Sequence, residues 1–363
     1  MSAARRAVLL GASLAAAASG MEAAWRRRRR RLGEPRVFVL AYHDVSAPDL
    51  TAAVGIPTAV LYPDPAEPEG VISADRLQAQ LRYLKRHYRF APLSQAAALL
   101  ARPGALQEDL VAVTFDDGYA GNFEAAWPVL REEQVPATVF VTTGFLDGGG
   151  LWFDFARRLL AAALAAGRRL PERQRRALVA ALGRWPGRAR RPEWAVERLK
   201  RLAPAARRRL LEELAAAGLP LGPPARPLSW DQVRTLAATG IEIGCHTVNH
   251  PILSQLPPAQ QTEEIAGASD RMRQELGEAP TAFAYPNGSA DDFNADTCEV
   301  LRASGFAVAC TTLRGANRPG CDLLRLRRIG VGRDPGFVLA ARLSGLFDDA
   351  MGLLLRPAPE EAR

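Results

Sequence analysis

The sequence predicts an α/β protein, a (β/α) barrel with its helices outside and a helical insertion in the middle of the chain. Apolar, β-branched runs alternate with amphipathic segments on both sides of residues 147–227, which is typical of β-α-β units. Residues 147–227 break this alternation and hold helical segments separated by Gly and Pro. Polar side chains follow the apolar runs where each ends, as in barrels whose active site lies at the carboxyl ends of the strands.

The first half of the predicted barrel alternates strictly. Its elements are a strand at 36–42, a Pro-rich loop from Pro48 to Pro68, a helix at 73–86, a strand at 110–115, a helix at 123–134 and a strand at 137–142. The Pro-rich loop is too irregular for regular structure and long enough to suggest a function.

The insertion lies between the two halves of the barrel. It is predicted to contain helices at 153–166, 171–183, 193–201 and 204–217. Ser229 is expected to cap the next helix, with Gln232 making the reciprocal contact. The remaining strands are predicted at 241–245, 281–285, 306–311 and 326–331. The barrel domain is therefore assigned to 37–146 and 228–345, the insertion to 147–227 and a C-terminal tail to 346–363.

Residues 1–36 are open to three interpretations. The stretch from Ala7 to Trp25 is mostly Ala and Leu and resembles a signal peptide or a weak membrane anchor. Glu22 interrupts it, and six Arg at 26–31 oppose export of the C-terminal domain and favour its retention in the cytoplasm. Alternatively, Met21 is the true start and Met1 is not.

The net charge of +8 is unevenly distributed. Residues 1–36 carry +7 and residues 151–228 carry +12, so the rest of the chain carries −11. This excess of Arg is either compositional bias or a sign of contact with an anionic surface, such as acidic polysaccharide or lipid headgroups. Because no nucleic-acid-binding motif accompanies it, nucleic acid is not expected as a partner.

Two segments carry the candidate chemistry. The segment 111–119, VAVTFDDGY, reads as a buried strand that delivers Asp116 and Asp117 to one spot, aimed differently because adjacent strand residues face opposite ways. The segment 246–250, HTVNH, is predicted to place His246 and His250 on one helical turn. Two imidazoles and one carboxylate make a three-ligand set for a divalent metal, and the second carboxylate is then available as a base.

These segments resemble those of the NodB-type polysaccharide deacetylases, the carbohydrate esterase family 4. The resemblance rests on 114–119 and 246–250 and is supported by 283–288, FAYPNG, and 41–45, AYHDV. It is similar above all to the branch with an early Tyr-His-x-Val segment, which includes the poly-N-acetylglucosamine deacetylases. The resemblance implies the distorted (β/α) barrel of that family over 37–146 and 228–345.

The resemblance also implies roles. Asp117, His246 and His250 would bind the metal, Zn²⁺ first and Co²⁺ or Ni²⁺ as further possibilities. Asp116 would be the general base, and the backbone N–H of Tyr119 would be an oxyanion donor.

The general acid is assigned to His43. The family branch places the acid in this early segment, and no His occurs after His250 in the late segment that supplies it in other members. The alternative for His43 is a buried core histidine.

The family pattern is broken at one position. Ala284 stands where many relatives have an Arg that holds the base carboxylate in its ionised form. Arg328 is expected to supply that guanidinium from a later strand, the alternative being an Arg on the face of an edge strand. Candidate substrate-binding residues are Tyr285, Pro286, Gly288 and Trp152, with the two aromatic rings either stacking on sugars or packing inside the protein.

The function implied is metal-dependent removal of N-acetyl groups from the amino sugars of a polysaccharide or glycoconjugate. The alternatives are an esterase for O-acetyl groups, a deacylase for a lipid-linked sugar, and a catalytically silent carbohydrate-binding protein of the cell envelope. The expected location is the cell envelope, membrane-associated or exported, with the cytoplasm as the alternative. The sequence does not define an oligomeric state.

Overall fold

The computed structural model describes residues 35–47, 71–184 and 192–344, with short stretches between 11 and 31. The Pro-rich loop, most of the N-terminal segment and the tail at 346–363 lie outside the described residues, so the predictions made for them are untested. Among the described helices, none combines the length and the hydropathy needed to cross a membrane.

Seven of the ten described strands form a closed parallel barrel. In chain order the strands are β1 (Val37–Tyr42), β2 (Asp44–Ser46), β3 (Val71–Ser73), β4 (Arg89–Phe90), β5 (Leu110–Phe115), β6 (Ala137–Val141), β7 (Glu242–Cys245), β8 (Ala282–Ala284), β9 (Val308–Arg314) and β10 (Leu326–Gly330). The barrel order is β1-β10-β9-β8-β7-β6-β5, and β5 closes the ring on β1. The predicted barrel is thus confirmed.

Closure depends on two strands that are buried along their whole length. Every residue of β1 and β5 is buried, and the two pair from Val37 with Leu110 to Tyr42 with Phe115. Continuous apolar runs are expected of parallel strands that are covered on both faces. All seven predicted strands occur, whereas β2, β3 and β4 were missed because two or three residues show no periodicity.

Helices cover the barrel and form the insertion. They are α1 (Ala74–Lys85), α2 (Leu93–Ala101), α3 (Trp127–Glu133), α4 (Thr143–Leu146), α5 (Trp152–Ala166), α6 (Glu172–Leu182), α7 (Pro192–Lys200), α8 (Pro204–Ala215), α9 (Trp230–Ala238), α10 (Pro258–Leu276), α11 (Ala295–Ala303) and α12 (Gly336–Ser344). The capping box of Ser229 and Gln232 at the start of α9 is present as predicted.

The insertion has a core of its own. Helices α5 to α8 match the four predicted segments, and their apolar faces form a cluster separate from the two clusters of the barrel. Leu160, Leu178, Leu199 and Leu214, one from each helix, are fully buried in it. The insertion is therefore packed by the hydrophobic effect rather than only tethered at its ends.

The helix predicted at 123–134 is in part wrong. The chain first makes a π-helical turn at Asn122–Ala126 and only then continues as α3. Insertions of this kind often occur at functional sites, and this one begins shortly after the turn that ends at Gly118. Apolar periodicity does not distinguish a π turn from an α turn over five residues.

Candidate active site

Four polar side chains meet at the carboxyl-terminal mouth of the barrel. His43 follows β1, Asp116 follows β5 and His246 follows β7, while Arg328 lies within β10. Since the carboxyl ends of parallel strands open on one side of a barrel, residues from distant parts of the chain come together there.

The candidate metal ligands converge on one point. The Nε2 atoms of His246 and His250 each lie 3.4 Å from the same oxygen of Asp117, and all three side chains are buried. A tetrahedral Zn²⁺ with bonds of 2.0–2.1 Å holds any two of its ligand atoms about 3.3 Å apart. The spacing therefore fits one divalent ion bound by all three residues, and it is longer than an ordinary hydrogen bond.

The backbone that carries the two imidazoles is not helical, so the predicted helical turn at 246–250 is wrong. Residues 246–250 form a loop in which Thr247 and His250 have positive φ angles of 67° and 54°. Several contacts hold this loop: Thr143 and Gly144 donate from their N–H groups to the carbonyls of Thr247 and Val248. Left-handed backbone at a residue other than Gly is strained and persists only where the surroundings hold it.

The two imidazoles are held in different ways. Nδ1 of His246 lies 2.7 Å from the carbonyl oxygen of Ala284, to which it donates when Nε2 faces the metal site. Nδ1 of His250 is buried and has no hydrogen-bond partner among the described residues. Instead, the ring of Phe153 lies 4.7 Å from the His250 ring, and the indole of Trp152 donates to the His250 carbonyl.

The two carboxylates are aimed apart by a turn and not by strand alternation, which corrects the reason given from the sequence. Strand β5 ends at Phe115, and Asp117 has φ 75° with Gly118 at φ 82°. A Cβ at Gly118 would lie 3.1 Å from the side chain of Leu146, so glycine also makes room here. Consecutive left-handed residues reverse the chain and direct Asp117 toward the imidazoles.

Arg328 makes the contact expected of it. Its guanidinium donates to both oxygens of Asp116, at 2.7 Å each, and Nε donates to the Thr311 carbonyl at 2.8 Å. Arg328 is 1% exposed, whereas the neighbouring Arg327 faces solvent. The strand register breaks between these two arginines and the start of β10: Leu326 pairs with Cys310, but Arg328 pairs with Arg314. Such bulges re-aim a side chain, and they occur beside active sites.

The protonation states follow from burial and neighbours. Burial alone raises the pKa of Asp116, but the guanidinium of Arg328, with smaller contributions from His246 and His43, outweighs it and holds that pKa below its ordinary value. Asp117 is likewise buried, and its histidine neighbours hold its pKa well below the usual range. Burial lowers the pKa of His250 to about 3, which keeps its imidazole neutral, the form that binds a metal.

His246 has the opposite balance. Burial lowers its pKa, but the nearby carboxylates of Asp117 and Asp116 raise it above the ordinary value. A metal ion at Nε2 of His246 would compete with a proton for that nitrogen.

His43 and Tyr119 lie on the solvent side of the cluster. His43 is exposed, so the alternative of a buried core histidine is wrong, and Asn122 donates to its backbone carbonyl at 2.7 Å. Tyr119 forms an isolated bridge with Pro227, and the flanking hydrogen bonds run through Ala120 and Leu228. The Tyr119 N–H consequently faces away from that segment and has no acceptor among the described residues.

Of the four candidate substrate residues, three are buried and Trp152 is half-buried. Tyr285 is 1% exposed, its ring stacks on Phe293 and its hydroxyl donates to the Leu324 carbonyl, so it packs the core and offers no face to a sugar. Pro286 and Gly288 are buried in the turn after β8. Trp152 is half-buried, with the guanidinium of Arg207 4.0 Å above its ring. Stacking of Tyr285 on a sugar is therefore wrong, and the alternative of packing inside the protein holds, because the ring is buried against Phe293.

Some groups that shape the site were missed. They are Phe153, Arg207, Asn122, the hydroxyl of Thr114, which accepts from Arg328, and the carbonyls of Ala284 and Thr311. The position of Asn122, soon after the Asp-Asp-Gly turn, is a signal in the sequence that could have identified it. The carbonyls left no signal, since every residue has one.

The fold and the site together define a class of protein, a (β/α) barrel whose mouth holds an Asp-His-His set beside an Arg-paired carboxylate. A family model described as polysaccharide deacetylase matches residues 104–309, more than half of the 363-residue chain. The chain belongs to the polysaccharide deacetylase family, which confirms the resemblance found in the sequence.

One curated relative is the "Putative polysaccharide deacetylase YxkH" of Bacillus subtilis. It is 22% identical over 255 residues, which cover 70% of this chain and 63% of the relative. The match thus spans less than two thirds of that relative's length.

Solved structures of similar proteins share the fold. The Streptococcus pyogenes deacetylase PplD, in complex with acetate, has a TM-score of 0.54 and 20% identity, covering 84% of this chain and 97% of its own. IcaB from Ammonifex degensii has a TM-score of 0.53 and 23% identity, covering 85% and 97%. Both likenesses extend over nearly the whole of the solved chains.

Proposed function

We propose that this protein is a metal-dependent hydrolase that removes N-acetyl groups from amino sugars of a polysaccharide or glycoconjugate. The observation that carries the proposal is the pair of imidazole Nε2 atoms, each 3.4 Å from one oxygen of Asp117, next to a second carboxylate held by Arg328. Membership of the polysaccharide deacetylase family supports an acetylated polysaccharide as the substrate class.

Asp117, His246 and His250 would hold the ion, and Zn²⁺ suits two imidazoles and a carboxylate. When bound, the ion supplies Lewis acidity: it polarises the acetyl carbonyl and lowers the pKa of a water molecule toward neutrality. Co²⁺ and Ni²⁺ also accept imidazole ligands and are alternative occupants.

The chain's own groups account for the proton transfers. The Asp116 carboxylate is ionised because Arg328 donates to both of its oxygens, and it accepts a proton as water attacks the acetyl carbonyl. The N–H of Tyr119 donates to the oxygen on which negative charge develops. The exposed imidazole of His43 donates a proton to the departing nitrogen, so the products are acetate and a free amino sugar.

The cellular location is a further part of the proposal. We propose that the protein acts in the cell envelope, where acetylated polysaccharides and glycoconjugates are found. Two observations support it: the apolar stretch at 7–25 and the charge of +12 over residues 151–228, which favours attraction to an anionic surface.

The test is metal analysis combined with acetate release. Purified protein is expected to contain about one divalent ion per chain and to release acetate from N-acetylated chito-oligosaccharides. Chelation should abolish the release, and added Zn²⁺, Co²⁺ or Ni²⁺ should restore it. Matched O-acetylated and lipid-linked sugars, assayed in parallel, separate an amidase from an esterase or a lipid-linked sugar deacylase. Protein that takes up no metal in excess Zn²⁺ would refute the proposal.

A further inference from the structure

The two histidines of the metal site differ in what fixes their orientation. His246 has an acceptor for Nδ1, the Ala284 carbonyl at 2.7 Å, which selects the tautomer and the ring angle. Nδ1 of His250 has no partner among the described residues, although it is buried. Metal-binding histidines almost always use their second nitrogen for a hydrogen bond to a carbonyl, a carboxylate or water. Within the described residues, the His250 ring is therefore oriented by packing contacts.

The insertion provides that support. The Phe153 ring lies against the His250 ring, with 4.7 Å between centroids and 56° between planes. The adjacent Trp152 donates from Nε1 to the His250 carbonyl at 3.0 Å. Both are the opening residues of α5, so one helix end contacts the ring and the backbone of the same residue.

A second helix of the insertion holds Trp152 in turn. The guanidinium of Arg207, in α8, lies 4.0 Å above the Trp152 ring. Arg207 is 7% exposed, and its Nη1 is buried without a hydrogen-bond partner among the described residues. The face of the Trp152 ring stabilises this guanidinium through a cation–π contact. Arg207, Trp152 and His250 thus form a chain of contacts from the insertion to the metal site.

The backbone of His250 needs this support. Its φ of 54° is left-handed, which costs free energy at a residue with a Cβ. The barrel side of the loop is held by Glu264, which accepts from the N–H groups of Val248 and Asn249. The carbonyl end of His250 is held from the insertion, by Trp152.

We propose that the insertion is part of the metal site: Trp152 and Phe153 are positioning residues that hold His250 in its metal-binding orientation, and Arg207 supports Trp152. This inference rests on the proposed metal-dependent function. It gives residues 152–215 a direct role in metal affinity, separate from any role in substrate attraction. Phe153 packs against the ring whose Nδ1 has no acceptor among the described residues, and Trp152 fixes the strained backbone.

The test is metal affinity, measured on the full chain by competition of Zn²⁺ with a chromophoric chelator, together with the absorption spectrum of the Co²⁺ form. Trp152→Phe removes the indole N–H and keeps an aromatic face, while Phe153→Leu removes the aromatic face and keeps apolar volume. Loss of a partner that orients a ligand costs 10–100-fold in metal affinity, so each variant should bind Zn²⁺ at least about tenfold more weakly. The Co²⁺ ligand-field bands should shift, because the coordination geometry changes.

The matched control lies in the same insertion. Arg198 in α7 is exposed, and its guanidinium lies 5.6 Å from the Trp194 ring. Arg198→Met should leave Zn²⁺ affinity and the Co²⁺ spectrum unchanged, whereas Arg207→Met should weaken binding and shift the spectrum. Melting temperatures of the chelated proteins separate loss of metal orientation from loss of folding.

The outcomes are distinct. Wild-type Zn²⁺ affinity and spectra in both Trp152→Phe and Phe153→Leu would overturn the positioning role while leaving the proposed function intact. Equal losses in Arg198→Met and Arg207→Met would also overturn it, since the effect would then be general destabilisation of the insertion. A wild-type protein that binds no metal would refute the proposed function, and the positioning role with it.

Discussion

The guanidinium of Arg328 donates to both oxygens of Asp116, and the two residues are separated by 212 positions in the chain. Both are almost fully buried, at 1% and 3% exposure. Arg328 thus contacts Asp116 from β10, as expected from the absence of an Arg at position 284. The arrangement neutralises a buried charge and leaves the carboxylate ionised at the mouth of the barrel.

Removal of Arg328 should cost both activity and stability. Arg328→Met leaves the Asp116 carboxylate buried and unpaired, which destabilises a protein by about 3–5 kcal/mol. Turnover should fall far more than in Arg327→Met, since Arg327 is exposed on the same strand. Denaturant unfolding and acetate-release kinetics measure the two effects. Identical kinetics in the two variants would remove Arg328 from the mechanism.

The pH profile should report the same pair. Arg328 holds the pKa of Asp116 below its ordinary value against the opposing effect of burial. Without the guanidinium, burial dominates and the pKa rises, so Asp116 takes up its proton at a higher pH and ceases to act as a base. The acidic limb of kcat in Arg328→Met should move to higher pH than in the wild type. An unmoved limb would mean that Asp116 is not the base.

The neighbouring aspartates should separate in function. Asp116→Asn should abolish turnover but retain about one metal per chain, because Asp116 contacts Arg328 and not the imidazoles. Asp117→Asn should weaken metal binding, because its oxygen lies 3.4 Å from both Nε2 atoms. His246→Ala and His250→Ala should lose the metal as well. Metal analysis of the four variants checks this, and equal metal loss in Asp116→Asn and Asp117→Asn would contradict it.

His43 should matter for turnover alone. His43→Ala should lower kcat by about 10²–10⁴, the usual contribution of a general acid, and should leave the metal in place. His87, half-buried at the end of α1 against the Tyr83 ring, is the matched control, and His87→Ala should retain the wild-type rate. A His43→Ala variant with near-wild-type rates at every pH would assign the acid role to another residue.

The insertion should also attract anionic surfaces through its exposed face. Arg208 and Arg209 are exposed, and within the described part of the chain neither forms an ion pair, whereas Arg175 and Arg176 pair with Glu172. Replacing Arg208 and Arg209 by Gln should weaken co-sedimentation with anionic vesicles or acidic polysaccharide more than the same change at Arg175 and Arg176. Binding should fall steeply with salt, because exposed charges are screened over about 10 Å at 0.1 M.

Small soluble substrates are the internal control for that experiment. They should be hydrolysed at the same rate by all of these variants, since none of the four arginines contacts the site. If wild-type protein binds none of these surfaces at low salt, the Arg excess is compositional.

The order of elements and the candidate site residues could be predicted from the sequence alone. Strand periods, breaker residues and the segments at 114–119 and 246–250 are local features, so all seven barrel strands and the four insertion helices could be predicted. So could the pairing of Arg328 with Asp116, because Ala284 stands where the family it resembles has an Arg, and Arg328 lies on a later predicted strand.

The tertiary structure decided how those groups are held. The left-handed loop at 246–250, the turn at Asp117 and the register break beside Arg328 are backbone conformations that depend on contacts made elsewhere in the fold. The burial of Tyr285 against Phe293 and the contact of Phe153 with His250 likewise depend on which distant surfaces meet. Local periodicity carries no information about these long-range contacts. Close packing and the hydrogen bonding of buried groups determine them.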